Sequence, residues 1–177
     1  GMMTTNDEAI ANKLFALRGH GMEVRYYHKW IGINSRLDGF QGAILRVKLR
    51  RLDEWSNKRK ANADRYKQLF TDAGVTEQIT LPFERENVRH IYNQYVIRVP
   101  NKRDELRQYL TDNEIGTDIY YPVSLHLQEC FEYLGLKEGD FPESEKASRE
   151  TIALPIFPEM TEEQQDYVVE KIAEYYA

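Results

Sequence analysis

From about Arg36 to Phe70 the chain carries one helical pattern with no proline: Leu37, Phe40, Gln41, Ile44, Leu45, Leu49, Leu52, Trp55, Tyr66 and Leu69 recur at three- and four-residue steps. A single helix over that span is roughly 50 Å long at 1.5 Å per residue. A compact domain does not need such length, and helices of this kind run from one domain into another or along a partner. The basic residues on it (Arg46, Lys48, Arg50, Arg51, Lys58, Arg59, Lys60) alternate with Asp53, Glu54 and Asp64, which reads as a solvated face. The formal charge of the 177 residues is −5, so nothing points to a nucleic-acid partner.

Before this helix, Thr5-Asn6-Asp7-Glu8 opens a shorter one with Thr5 or Asn6 as cap and Ile10, Leu14 and Leu17 on one face, stopped by Gly19 and Gly21. Met22 to Ile33 has no period and is aromatic and basic (Arg25, Tyr26, Tyr27, His28, Trp30), as expected of a loop laid against something. Asn34 or Ser35 is placed to cap the long helix. Gly1 before Met2-Met3 reads as a scar of tag removal, so the native sequence is expected to open at Met2 or Met3.

After the long helix the pattern changes. Asn87 to Val99 alternates at period two, and Pro100 ends that strand. Asn101 caps a helix carrying Leu106, Tyr109 and Leu110, Gly116 closes it, and Thr117 to Tyr121 reads as a second strand broken by Pro122. A short helical piece near Cys130 to Leu134 and a helix over 143–151 precede Ile152 to Phe157, a proline-containing run that reads as an edge strand. Thr161-Glu162-Glu163-Gln164 is a capping box for a last helix with Tyr167, Val168, Ile172 and Tyr175 on its apolar stripe. The order predicts a small α/β layer.

No run approaches the roughly 20 apolar residues of a membrane-spanning helix, and no signal-peptide pattern opens the chain, so a cytoplasmic location is expected. Cys130 is the single cysteine, which leaves no internal disulfide. The four histidines (His20, His28, His90, His126) have no metal-ligand spacing, and no Gly-rich phosphate loop or Gly-x-Ser-x-Gly elbow is present. Metal and serine-hydrolase chemistry are not expected.

Four segments in order carry a resemblance: Thr4-Thr5-Asn6-Asp7-Glu8 leading to Arg18-Gly19-His20-Gly21; Gly32-Ile33-Asn34-Ser35-Arg36-Leu37 with Gln41; His90-Ile91-Tyr92-Asn93-Gln94-Tyr95-Val96; and Tyr121-Pro122 with Leu125-His126-Leu127-Gln128. Together they resemble the DegT/DnrJ/EryC1/StrS aminotransferases, which use pyridoxal phosphate to aminate keto-sugars on nucleotide carriers. The resemblance implies an α/β fold: the C-terminal small domain of a fold-type I aminotransferase, with a long connecting helix and a small α/β layer whose short sheet is mainly antiparallel. It divides the chain into a remnant of the large cofactor-binding domain (1–35), the connecting helix (36–70) and the small domain (71–177).

The segment that bears the family's Schiff-base lysine would precede Met2 and is not part of the chain. Lys13, the first lysine, lies after that point, so no catalytic nucleophile is assigned. The phosphate-binding loop and the acid that pairs with the pyridine nitrogen likewise belong to the other half. Gly42 stands where the family usually has alanine. What the resemblance does carry over is Asn34, with Arg36, toward the cofactor phosphate of a neighbouring subunit, an amide and a guanidinium at a helix N-terminus being suited to an anion. Tyr121 and His126 are expected near the nucleotide-sugar phosphates, and His90 and Tyr92 near the same substrate. His20 is expected to brace its loop.

The expected parent enzyme transfers an amino group, from glutamate, to a nucleotide-linked keto-sugar, while this chain alone is inactive. A free-standing non-catalytic module that dimerises or binds nucleotide sugars is the alternative, and a split enzyme with a separate lysine-bearing chain is a third. With the large domain missing, the aromatic loop 22–33 and one face of the long helix would be left exposed, which predicts a homodimer or higher assembly.

Overall fold

In the computed structural model, which describes residues 2–177, the long helical pattern is two helices. They are α2 (Gly39–Leu49) and α3 (Leu52–Asp72), separated at Arg50-Arg51, where Arg51 N–H turns back to Lys48 O at 3.0 Å. The single helix expected from periodicity is therefore corrected, and the cause lies in the charges. Arg46 and Lys48 sit in the last turn of α2, and Asp53 and Glu54 in the first turn of α3. Basic residues stabilise a helix C-terminus and acidic ones an N-terminus, so both sides of the junction favour an end. The chain separates there into two compact units, residues 1–51 and 52–177.

The first unit opens with α1 (Glu8–Leu17), capped by Asp7 rather than Thr5 or Asn6: its carboxylate accepts from Ile10 N–H at 3.0 Å. The aromatic stretch, expected to be irregular, contains a small antiparallel hairpin, β1 (Met22–Val24) with β2 (Tyr27–His28), turned through Tyr26 at φ +70°. Residues 33–35 are strapped to the end of α1 by Ile33 N–H to Leu17 O (2.9 Å), Ser35 N–H to Arg18 O (2.9 Å) and His20 N–H to Ile33 O (3.0 Å). Among large apolar side chains here Phe15, Tyr26, Tyr27, Ile33 and Phe40 are exposed, and Ile31 is 100% exposed.

The second unit holds the core. The sheet consists of β3 (Tyr95–Arg98) paired antiparallel with β4 (Thr151–Leu154), with Thr80 bridged to Arg98 on one side and Asp118 to Ala153 on the other. The run 151–154 is therefore flanked on both sides, not an edge as expected, and it stops before Pro155, which lacks the N–H needed to continue. The expected strand 117–121 is reduced to the Asp118 bridge. The expected strand 87–99 is shortened because Tyr92 takes φ +45° and its N–H donates to His90 Nδ1 at 2.9 Å, turning the chain before Tyr95.

Helices α3, α4 (Arg103–Asp112) and α6 (Glu162–Tyr176) cover this sheet. Tyr66, Phe70, Leu106, Leu110 and Ile172 bury against Tyr95, Ile97, Val99 and Ile152. Each such aliphatic or aromatic side chain contributes about 1.5–3 kcal/mol of transfer free energy, more than isolated helices of this length could supply by propensity. Gln165, almost fully buried on α6, donates to Asn62 O at 2.8 Å and ties α6 to α3. Helix α5 (Pro142–Glu150) begins with proline at its first turn and runs straight into β4.

The capping box of α6 forms as the sequence predicts: Thr161 Oγ1 accepts from Gln164 N–H at 3.3 Å, and Gln164 Oε1 from Thr161 N–H at 3.0 Å. Thr161→Ala is expected to cost about 1 kcal/mol in urea unfolding, as loss of an N-cap does elsewhere. A change below a few tenths would show that α6 is held by its packing alone.

Candidate functional site

Tyr121 and His126 come after the Asp118 bridge, where the chain leaves the sheet and turns through a 3₁₀ segment, Leu125–Leu127. Their surroundings are opposite. Tyr121 is 73% exposed. The His126 side chain is only 7% exposed and its Nε2 lies 3.0 Å from Glu145 Oε1 on α5, with Phe141 edge-on to the ring at 4.9 Å. His126 thus ties the 3₁₀ segment to Glu145 of α5 and packs against Phe141, so its Nε2 is already engaged within the chain.

Glu145 is the residue that sequence reasoning missed. It is 3% exposed, and both oxygens accept: Gly139 N–H at 2.9 and 3.0 Å, Phe141 N–H at 3.3 Å, and His126. Burial pushes the carboxyl up, but the two backbone donors and the imidazole outweigh it and hold Glu145 below its ordinary 4.5. An ionised acceptor at Glu145 requires the proton of His126 on Nε2.

Beside Tyr121, interaction with the Asp118 carboxylate, together with partial burial, raises the Tyr120 phenol above its usual value. Tyr120 and Asp118 line a cleft of about 330 Å³ with Asn93, Gln94 and Thr117, over a floor of Ala153 to Ile156.

His90 and Tyr92 are brought together, their ring centroids 4.1 Å apart, but they are engaged with their own turn. Tyr92 is buried and its hydroxyl donates to Glu84 Oε2 at 3.4 Å, while His90 spends Nδ1 on the Tyr92 amide. Partial burial raises Glu84, but bonds from Lys60, the His90 amide and Tyr92, with the charge of Lys60, bring it below the ordinary carboxylate value. This knot explains the two residues structurally, and no hydrogen bond or ring contact among the described residues joins them to Tyr121 or His126.

In the first unit, Asn34 pairs its backbone with Gly19 and hydrogen-bonds its side chain to no described residue. It does not cap α2. Asp38 stands at the N-cap, with Gln41 Oε1 accepting from its N–H at 3.2 Å, and Arg36 Nη2 lies 3.7 Å from Asp38. That helix end therefore already carries a carboxylate, and the side chains of Asn34 and Arg36 are exposed. None of the described lysines is buried. The half-buried pair, Lys60 and Lys171, are raised above their ordinary value, chiefly by hydrogen bonds to Asp64 and Glu174, with desolvation working against the shift. No group of three or more potential metal ligands occurs among the described residues, and no helix is long and apolar enough to cross a membrane.

The sequence model of the DegT/DnrJ/EryC1/StrS aminotransferase family matches residues 1–173. The chain is 49% identical over 176 residues to a pleiotropic regulatory protein of Geobacillus stearothermophilus, covering 99% of this chain and 47% of that protein. It is 38% identical to the dTDP-3-amino-3,4,6-trideoxy-alpha-D-glucose transaminase of Micromonospora megalomicea subsp. nigra, covering 98% and 47%. Among solved structures, DesV of S. venezuelae superposes with a TM-score of 0.84 at 33% identity over 97% of this chain and 45% of that one. NtdA from Bacillus subtilis, with bound cofactor PMP, gives 0.81 at 29% identity, over 97% and 40%. The chain spans about half the length of the curated relatives it matches. By the family match over 1–173, by identity and by the small-domain architecture, the chain belongs to the DegT/DnrJ/EryC1/StrS aminotransferases, a family dependent on pyridoxal phosphate.

Proposed function

We propose that this chain supplies the small-domain half of an aminotransferase that moves an amino group, from glutamate, to a keto group on a nucleotide-linked sugar, and that alone it does not catalyse the transfer. Pyridoxal phosphate would supply the electron sink; the chain's part is to present Asn34 and Arg36 to its phosphate from a neighbouring subunit and Tyr121 to the substrate phosphates. The observation that carries the reading is the state of the lysines. A lysine that attacks a carbonyl must spend time as the neutral amine, which burial or a neighbouring cation favours. Here the half-buried Lys60 and Lys171 are instead held charged by carboxylates, and the others are exposed.

Incubating the chain with pyridoxal phosphate, reducing with borohydride and mapping peptides by mass is expected to give no adduct concentrated at one lysine. A stoichiometric adduct at a single site would overturn the inactivity of the chain. The exposed side chains of Phe15, Tyr26, Ile31, Ile33 and Phe40 support self-association into a homodimer, and a strictly monomeric mass at high concentration would count against it.

A second reading, a non-catalytic module that dimerises or binds nucleotide sugars, draws on the regulatory name of the Geobacillus relative. Amination activity on adding a lysine-bearing large domain would favour the enzyme; nucleotide-sugar binding with no such rescue would favour the module.

A further inference from the structure

The cleft formed by Asn93, Gln94, Thr117, Asp118 and Tyr120 has a composition that selects its occupant. No lysine, arginine or histidine lines it, and it contains the Asp118 carboxylate, so a phosphate would meet repulsion with no compensating cation. Its polar groups still have hydrogen bonds to give. The carboxamides of Asn93 and Gln94 bond to no described residue, and Thr117 Oγ1 is shielded from solvent without a partner. An unpaired buried hydroxyl is costly, and a ligand hydroxyl satisfies it once the side chains that shield Thr117 from water move aside.

The frame is fixed. Arg59 Nη1 donates to Ile156 O at 2.7 Å and Asn93 O at 3.3 Å, joining two parts of the rim, and Asp118 is held to Ala153 by paired backbone bonds of 3.2 and 2.7 Å. At about 330 Å³ the cleft lies at the small end of the ~300–1,000 Å³ typical of small-molecule sites. Amides, a hydroxyl and a carboxylate above the apolar surface of Leu154, Pro155 and Ile156 match a ring that is neutral, bears several hydroxyls at its edge and has a C–H face.

We propose that this cleft receives the neutral sugar ring of the nucleotide-linked substrate, leaving the phosphates outside, toward Tyr121. The assignment rests on the nucleotide-sugar reading of the proposed function and adds to it the residues that recognise the sugar. Thr117 and Asp118 grip ring hydroxyls, and Asn93 and Gln94 supply the paired donor and acceptor.

The test is amide chemical-shift mapping on the full ¹⁵N-labelled chain with three probes: dTDP-glucose, dTDP and methyl α-D-glucopyranoside. The expected result is that dTDP-glucose and, at higher concentration, the glucoside shift the amides of Asn93, Gln94, Thr117 and Asp118, whereas dTDP shifts Tyr121 only. Thr117→Val, which keeps the side-chain shape, should weaken the response to dTDP-glucose about tenfold and leave the dTDP response unchanged. Silence of the cleft amides toward both sugars, equal shifts from dTDP, or wild-type affinity in T117V each overturn the assignment. The dTDP response at Tyr121 scores the nucleotide-sugar reading separately: its absence with cleft shifts present refutes the phosphate contact and not the sugar cleft.

Discussion

Glu145→Ala is expected to lower the melting temperature at neutral pH by on the order of 10 °C, with loss of hydrogen-exchange protection at the Gly139 and Phe141 amides. The carboxylate is the common acceptor for Gly139 N–H, Phe141 N–H and His126 Nε2. Alanine leaves all three donors without an acceptor in a buried place, and each orphan carries its own desolvation cost. Glu145→Gln should lose less, because one amide oxygen remains, but its NH₂ now faces donors. A melting temperature of the alanine variant within about 2 °C of the parent would show that water replaces the carboxylate without cost.

The downward shift sets the sign of the pH dependence. A carboxyl whose folded pKa lies below its unfolded value stabilises the fold above the unfolded value and loses that contribution as pH falls through the folded one. The stability gap between parent and Glu145→Gln should thus be constant above about pH 5 and shrink below the ordinary 4.5 of the carboxyl. Glu84, Glu163 and Glu174 are also lowered and remain in both proteins, so the gap, and not the acid limb itself, isolates Glu145.

Why Glu145 is not visible in the sequence is physical. It reads as one of two acids in the first turn of an amphipathic helix, where a carboxylate ordinarily faces solvent. Only the fold wraps Gly139 and Phe141 around it and brings His126 from 19 residues away. The sugar cleft has the same origin: Asn93 and Asp118 come to line one cleft because β3 and the Asp118 bridge flank β4 on its two sides. By contrast, α6 is legible because its apolar stripe and capping box lie within the segment, and α4 because its stripe does, although Lys102 and not the expected Asn101 stands at its N-cap. The break between α2 and α3 is also written locally, in Arg46 and Lys48 followed by Asp53 and Glu54, but hydrophobic periodicity runs through it unchanged. Period-two alternation likewise runs on past the point where Tyr92 turns the chain, since alternation records side-chain faces and not φ.

Gly21→Ala and Gly32→Ala are expected to destabilise the first unit by roughly 3–4 kcal/mol each, the second largest effect foreseen. At Gly21 a Cβ would lie 1.9 Å from Trp30 O, and the backbone sits at φ +77°. At Gly32 it would lie 2.4 Å from Gly21 N and 2.5 Å from Leu17 O. All the obstructing atoms are main chain, so no rotamer change relieves them, and the strap of residues 30–35 must lift off the end of α1. That strap carries Asn34, so both variants should expose the amides of His20, Ile33 and Ser35 to exchange and displace the side chain proposed to meet the cofactor phosphate. Gly42→Ala is the control. Its Cβ meets nothing within 4 Å, and it lies inside α2. It should stabilise α2 by up to about 1 kcal/mol and leave exchange at Ile33 and Ser35 unchanged. Equal protection in all three variants would mean that the strap does not depend on close backbone approach, and Asn34 would then owe its position to something other than these two glycines.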